Sequence, residues 1–330
     1  MGLERTLQIG EGTFSIEKCA KRFLRTIGTV FLASALAFIP VAYASEKQET
    51  RTKDEIHQKI VLGNCLLQGA ISGFGGMQNG ESYWKSFAKG CLGGTLIAGG
   101  KIAVGNDLNN AWLGKMATSF GSSISYNASS GRPIDDSFGA DFGPAFLEWK
   151  KNNYGSYNFN AYLLPDSAAY LMSYLSEGDK IDAELSLRHG TPILISDGIS
   201  HPVEAYGLSG ANIIRILDKK RLGNILECER GIDCTDNIHS DKEEIQRDWE
   251  SILNHELIHT HQYTSTRSFG KTILDIGNFR KARKKFFEPL HVNLDHWVGD
   301  YLSSFALGYN GAGNKSLEEE EAYALSGHLE

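Results

Sequence analysis

His255-Glu256-Leu257-Ile258-His259 lies inside a run from Asp248 to Gln262 that contains neither Gly nor Pro. Four residues on an α-helix make just over one turn, so both imidazoles project from one face. That spacing lets two ring nitrogens reach one Zn²⁺ at ~2.0–2.1 Å. Trp249, Leu253 and Leu257 recur every four residues, the period of a helix face turned to a core. The stretch therefore predicts a helix that buries one stripe and offers a metal-binding pair on another. Glu256, one residue on from the first His, is placed to take a proton from a water that the metal polarises. The competing reading, a solvated helix carrying two His by chance, lacks the core-facing stripe.

A second element bears on the first. Near the C-terminus runs Glu318-Glu319-Glu320-Glu321-Ala322-Tyr323-Ala324-Leu325. A catalytic zinc site takes three protein ligands and keeps one position for water. With His255, Glu256, His259 and this acidic segment, the chain resembles the gluzincin metallopeptidases, in which a Glu on a later helix completes the site. The resemblance implies that Glu321 is the third ligand, because small Ala322 and Ala324 follow it and suit two closely packed helices. Glu318, one turn earlier, is the alternative. An acidic helix start favoured by the helix dipole is the non-functional reading of the same run. The string from His255 to Gln262 is also similar to a group of bacterial H-E-L-I-H proteins. It lacks the further His of the metzincins, since position 265 is Ser. His261 points well around the helix from His259 and reads as a residue behind the site or an exposed one. Tyr263, Tyr301, Tyr309 and Tyr323 are equal candidates for stabilising an oxyanion.

The first 44 residues read as an export signal. Lys18, Lys21, Arg22 and Arg25 precede an apolar run from Ile27 to Tyr43, and Ala42-Tyr43-Ala44 is an A-x-A cleavage site. An uncleaved anchor is the alternative. Removing five basic and three acidic residues with that segment takes the net charge from −7 to −9. So acidic a protein is a poor nucleic-acid binder, and the basic cluster Arg280–Lys285 reads as a solvated face. Export to the periplasm or cell envelope permits disulfides. Cys228 and Cys234 flank a short loop with Gly231 at its turn, which leaves Cys65 with Cys91 as the other pair.

Between residues 60 and 105 the composition changes: twelve Gly, few charges and long apolar stretches. Gly69/Gly73, Gly76/Gly80 and Gly90/Gly94 are G-x-x-x-G pairs, which let helices approach closely and often do so in membranes. A helical hairpin turning near Asn79-Gly80 is expected. Each arm is short for a full span, so the hairpin either contacts a membrane or packs on a soluble core. Residues 120–149, rich in Gly, Ser and Asp, read as loops with short helices. Tyr157–Leu163 and Ile181–Leu187 alternate with period two, and Pro192–Ser196 and Asn212–Leu217 look like further strands. By analogy with zincins, Asn212–Leu217 is the candidate edge strand for an extended substrate. His291 and His296, within a later aromatic stripe, read as satisfied core or surface histidines.

The expected architecture is α+β and zincin-like. An antiparallel sheet leads into a zinc-binding helix and a C-terminal helical part, preceded by a Gly-rich helical hairpin. The expected division is a signal over 1–44, a Gly-rich helical region over 45–150 and a metal-binding domain over 151–330. The expected activity is that of an exported zinc-dependent hydrolase, metallopeptidase-like, with Zn²⁺ on His255, His259 and Glu321, Glu256 as catalytic base, and a peptide or protein substrate. Membrane contact through residues 60–105 belongs to the same reading, with no nucleic-acid partner. The rival is a non-catalytic envelope structural or binding protein whose metal site is vestigial or structural.

Overall fold

The computed structural model describes residues 6–8, 13–15, 52–197, 207–220, 242–275 and 317–326, with residues 222, 224, 290, 292–296, 298 and 299. The expected signal cleavage site, the Cys228–Cys234 loop, the basic cluster at 280–285 and most of the aromatic stripe lie outside them. Within the first 44 residues only a short antiparallel pair is described, β1 (Thr6–Gln8) with β2 (Thr13–Ser15).

The chain is α+β and mostly helical, with small sheets. Helices α1 (Lys53–Gln78) and α2 (Tyr83–Asn106) form the expected hairpin. Thr52 caps α1 by accepting the Glu55 N–H, and the turn passes through Gly80 at φ +85°. The helices touch at their glycines. A Cβ on Gly94 would stand 2.1 Å from the Asn64 carbonyl oxygen, and one on Gly90 would stand 2.4 Å from that of Gln68. Only hydrogen fits at such backbone-to-backbone contacts. A disulfide joins Cys65 on α1 to Cys91 on α2, as the sequence suggested. By length and composition α1 alone among the described helices could cross a membrane, and 61% of its apolar window is buried inside the protein.

Residues 120–149 differ from expectation. Helix α3 (Ala111–Ser129) is a long helix, followed by the hairpin β3 (Ser137–Phe142) and β4 (Ala145–Lys151). Gly and Ser signal loops when solvated, but here they let α3 lie against α2. A Cβ on Gly121 would meet the Gly93 carbonyl, and one on Gly100 that of Gly114. Several Ser hydroxyls bond to carbonyls: Ser123 to Ser119, Ser122 to Thr264, and Ser72 on α1 to Ser125.

Strand β5 (Tyr157–Leu163) pairs antiparallel with β4. The boundary expected at 150 therefore falls inside one three-stranded sheet, β3-β4-β5. Helix α4 (Pro165–Ser176) follows, with Pro in its first turn, where the missing N–H is harmless. The strand expected over 181–187 is instead β6 (Lys180–Ile181) and helix α5 (Ala183–His189). Local capping outweighs alternation here. Asp182 accepts the Leu185 N–H, Glu184 lies in the first turn, Arg188 and His189 in the last, and Gly190 closes the helix at φ +72°.

The second sheet has the order β6-β7-β9-β8, with β7 (Ile193–Ser196), β8 (Gly207–Gly210) and β9 (Ile213–Leu217). β7 and β9 are parallel; the other pairs are antiparallel. β9 is therefore internal, with all five residues buried, and the edge beside it is β8. The mainly apolar stretch at 213–217, whose Arg215 is buried against Asp179, marks burial on both faces, not an edge.

Helix α6 (Lys242–Ser265) carries the motif, and α7 (Arg267–Leu274) and α8 (Leu317–Ser326) complete the described elements. Trp249, Leu253 and Leu257 form the expected stripe, packed on Val104, Ile193, Ile214 and Ile216. Ile258 turns the other way, into a cluster with Ile60, Ala98, Ala322 and Leu325. α6 is thus held between the second sheet and the Gly-rich helices, with α8 against it.

Candidate metal centre

His255, His259 and Gln262 share one face of α6, because positions i, i+4 and i+7 nearly superpose along a helix. The two Nε2 atoms lie 3.1 Å apart. Two nitrogens each ~2.05 Å from a tetrahedral ion stand roughly 3.3 Å apart, so the pair fits one Zn²⁺ with little movement. His255 is 8% exposed, and the Tyr323 ring of α8 packs on its imidazole at 4.5 Å between centroids. Of the four expected Tyr candidates, Tyr301 and Tyr309 lie outside the described residues. Tyr263 donates to Asp166 at 2.7 Å and packs with Phe146 and Leu164. Tyr323 is the one placed beside the His pair.

Glu256 is buried and lies about 100° around the helix from His255. Its charge is felt by Tyr174 of α4, whose hydroxyl is pushed up to about 12. Burial is the main cause, Tyr170, Glu256 and Glu177 act in the same direction, and Arg215 opposes.

Both carboxylate oxygens of Glu321, the expected third ligand, are hydrogen-bonded. One carboxylate oxygen accepts from Asn64 Nδ2 at 3.1 Å. The other accepts from Lys101 Nζ at 2.8 Å and from Gln262 Nε2 at 2.9 Å. Burial by itself would raise this carboxyl, but the Lys101 charge and the hydrogen bonds from Lys101, Gln262 and Asn64 outweigh it and hold the group below its ordinary value. Gln262 Oε1 in turn accepts from His259 Nδ1 at 2.7 Å. Glu321 thus reaches the His pair through Gln262. Among the described residues no three His, Cys, Asp or Glu side chains gather as a metal site. The Glu318 side chain lies outside what is described. Ala322, fully buried, lets α8 approach Ile258 of α6.

Gln262, Lys101 and Asn64 were not read from the sequence as parts of a site. The signal was present, since Asn64 and Lys101 are rare polar residues in the apolar arms, and a buried charge demands a partner.

Behind the helix lies a second polar cluster. Lys115 donates to Asp141 and Asn212, and Thr264 donates to Asp141. His261 is not exposed. It is fully buried and hydrogen-bonded through Nδ1 to Thr118, and burial, reinforced by Lys115, pushes it down to about 3. His296 is a core residue between Phe146 and Tyr263, but neither ring nitrogen has a hydrogen-bond partner among the described residues. The expected core histidine is thus buried, with no partner for either ring nitrogen among the described residues. His291 lies outside the described residues.

No family model, no curated protein and no solved structure matches this chain.

Proposed function

We propose that the chain is an exported zinc-dependent hydrolase, metallopeptidase-like, built around His255, His259 and Glu256. The observation that carries this reading is the 3.1 Å separation of the two Nε2 atoms on one helix face, with the second nitrogen of His259 already engaged by Gln262. Metal-binding imidazoles are oriented in this manner. Zn²⁺ supplies a Lewis acid that acidifies water and polarises a carbonyl. The chain's own groups do the rest. Glu256 accepts a proton at its carboxylate, and Tyr323, whose ring packs on His255, donates to developing negative charge. β8, the edge strand nearest the motif helix, offers main-chain pairing to an extended peptide in a zincin-like arrangement. Glu321 enters through Gln262 rather than as a donor to the metal.

The Cys65–Cys91 disulfide supports an oxidising compartment, the periplasm or cell envelope. Membrane contact belongs to the same proposal. Trp84, Leu92 and Leu96 on α2 and Trp112, Leu113, Met116 and Phe120 on α3 are exposed. The only lysine of α3, Lys115, is buried.

A second reading has its own observation. At 3.1 Å the two imidazoles can hydrogen-bond directly to each other, so the pair could serve as a structural polar network in a non-catalytic envelope protein. Metal analysis separates the two. The hydrolase reading expects one zinc per purified wild-type chain and none in His255→Ala or His259→Ala. Equal zinc in all three, or none in any, leaves the structural reading.

A further inference from the structure

A line of four side chains joins the Gly-rich hairpin to the metal-facing imidazole, and its members leave little freedom in how protons are arranged. Lys101 can only donate. The Glu321 carboxylate can only accept, and it takes Lys101 at 2.8 Å on the same oxygen that takes Gln262 at 2.9 Å. The Gln262 amide must therefore turn its NH₂ toward Glu321. That leaves Oε1 facing His259 Nδ1 at 2.7 Å, and an oxygen there requires Nδ1 to carry the proton. His259 Nε2 then carries no proton and can only accept, facing His255 Nε2 at 3.1 Å. In water a neutral histidine carries its proton mostly on Nε2, the wrong nitrogen for this purpose, so the observed arrangement needs a cause.

We propose that Lys101 and Glu321, acting through Gln262, fix the tautomer of His259 with Nε2 unprotonated. All three are positioning residues. Lys101 comes from α2, Glu321 from α8 and Gln262 from the motif helix, so the imidazole is ready only when the three helices are docked. The relay concerns His259 with or without metal. Its consequence for zinc rests on the proposed metal role of the His pair.

The test uses full-length mature protein labelled with ¹⁵N on histidine and kept metal-free at alkaline pH, where the imidazole is neutral. His259→Ala identifies the signals. Wild type should show His259 with its proton on Nδ1. Glu321→Leu frees the Gln262 amide to turn, and the proton should move toward Nε2. Adding Gln262→Glu to that variant should return it to Nδ1, because a carboxylate can only accept. Gln262→Met, which does not touch the Lys101–Glu321 pair, should also move the proton to Nε2. The relay is overturned if Glu321→Leu or Gln262→Met leaves the wild-type tautomer, or if the double variant matches Glu321→Leu. A purely structural role for Glu321 predicts no recovery in the double variant. Zinc affinity by chelator competition is read separately. It should fall ~10–100-fold in Glu321→Leu and Gln262→Met and recover in the double variant. A wild type that binds no zinc defeats the metal reading, while the tautomers still decide the relay.

Discussion

Lys101 and Glu321 meet at 2.8 Å although 220 residues separate them in the chain. Asn64 lies between them in space: its Oδ1 accepts from Lys101 at 3.2 Å and its Nδ2 donates to Glu321. The three close the gap between α1, α2 and α8. Lys101→Met leaves a largely buried carboxylate without its counter-charge, and the expected loss is about 2–3 kcal/mol of stability by urea unfolding. Lys101→Met with Glu321→Leu should recover much of that, since removing both partners of a buried pair is often nearly neutral. A double variant no more stable than Lys101→Met contradicts the pairing.

Glu256→Gln keeps size and hydrogen bonding but removes the base. Under the proposed hydrolase, cleavage of a peptide library should fall ~10²–10⁴-fold while zinc content stays at the wild-type level. Unchanged cleavage removes Glu256 from the chemistry.

His296 gives a pH signature separate from His255 and His259. Burial, with help from Arg267 and Lys115 and against Asp141 and Asp295, pushes it from 6.5 to about 4. A group whose folded value is depressed binds its proton more readily unfolded, so stability falls as pH drops from about 6.5 to about 4. The loss across that window is on the order of 3 kcal/mol. His296→Phe keeps the ring between Phe146 and Tyr263 and removes the titrating nitrogens. Its stability should change less over the same window, measured as urea midpoints at stepped pH. Equal slopes in the two proteins count against a buried neutral His296.

Gly94→Ala drives a methyl group into the Asn64 backbone. Neither helix can yield easily, because Cys65 and Cys91 tie them together one residue from Asn64 and three from Gly94. The expected loss is ~1–3 kcal/mol, visible as a lower melting temperature. Gly99→Ala makes a control, since a Cβ there meets nothing within 4 Å and a helical Gly is replaced by a better helix former. It should be neutral or stabilising.

The exposed apolar face of α2 and α3 should bind lipid. Mature wild type is expected to co-sediment with phospholipid vesicles, and Leu92→Asp with Leu113→Asp should stay in the supernatant while keeping its zinc and its helical circular dichroism. A wild type that ignores vesicles removes the membrane contact from the proposal.

Local rules carried much of this fold. The four-residue recurrence of Trp249, Leu253 and Leu257 placed the motif on a half-buried helix, and the i, i+4 spacing of His255 and His259 put both rings on one face. Asn79-Gly80 marked the hairpin turn, and the Gly90/Gly94 pair marked the close backbone contacts. These are properties of backbone geometry and period, so a short window contains them. The Ser-rich helix α3 was hidden, because Ser and Gly read as loop until a neighbouring helix gives their small surfaces and hydroxyls a partner. The alternation at 181–187 misled, because Asp182 and Gly190 cap a helix more strongly than the pattern favours a strand. β9 became internal only when β8 paired with it. The acidic run near the C-terminus pointed to Glu321, but only tertiary packing decided what that carboxylate meets. Lys101 and Asn64 come from a hairpin more than two hundred residues away, and their donors, together with Gln262, set Glu321 behind His259 rather than beside it.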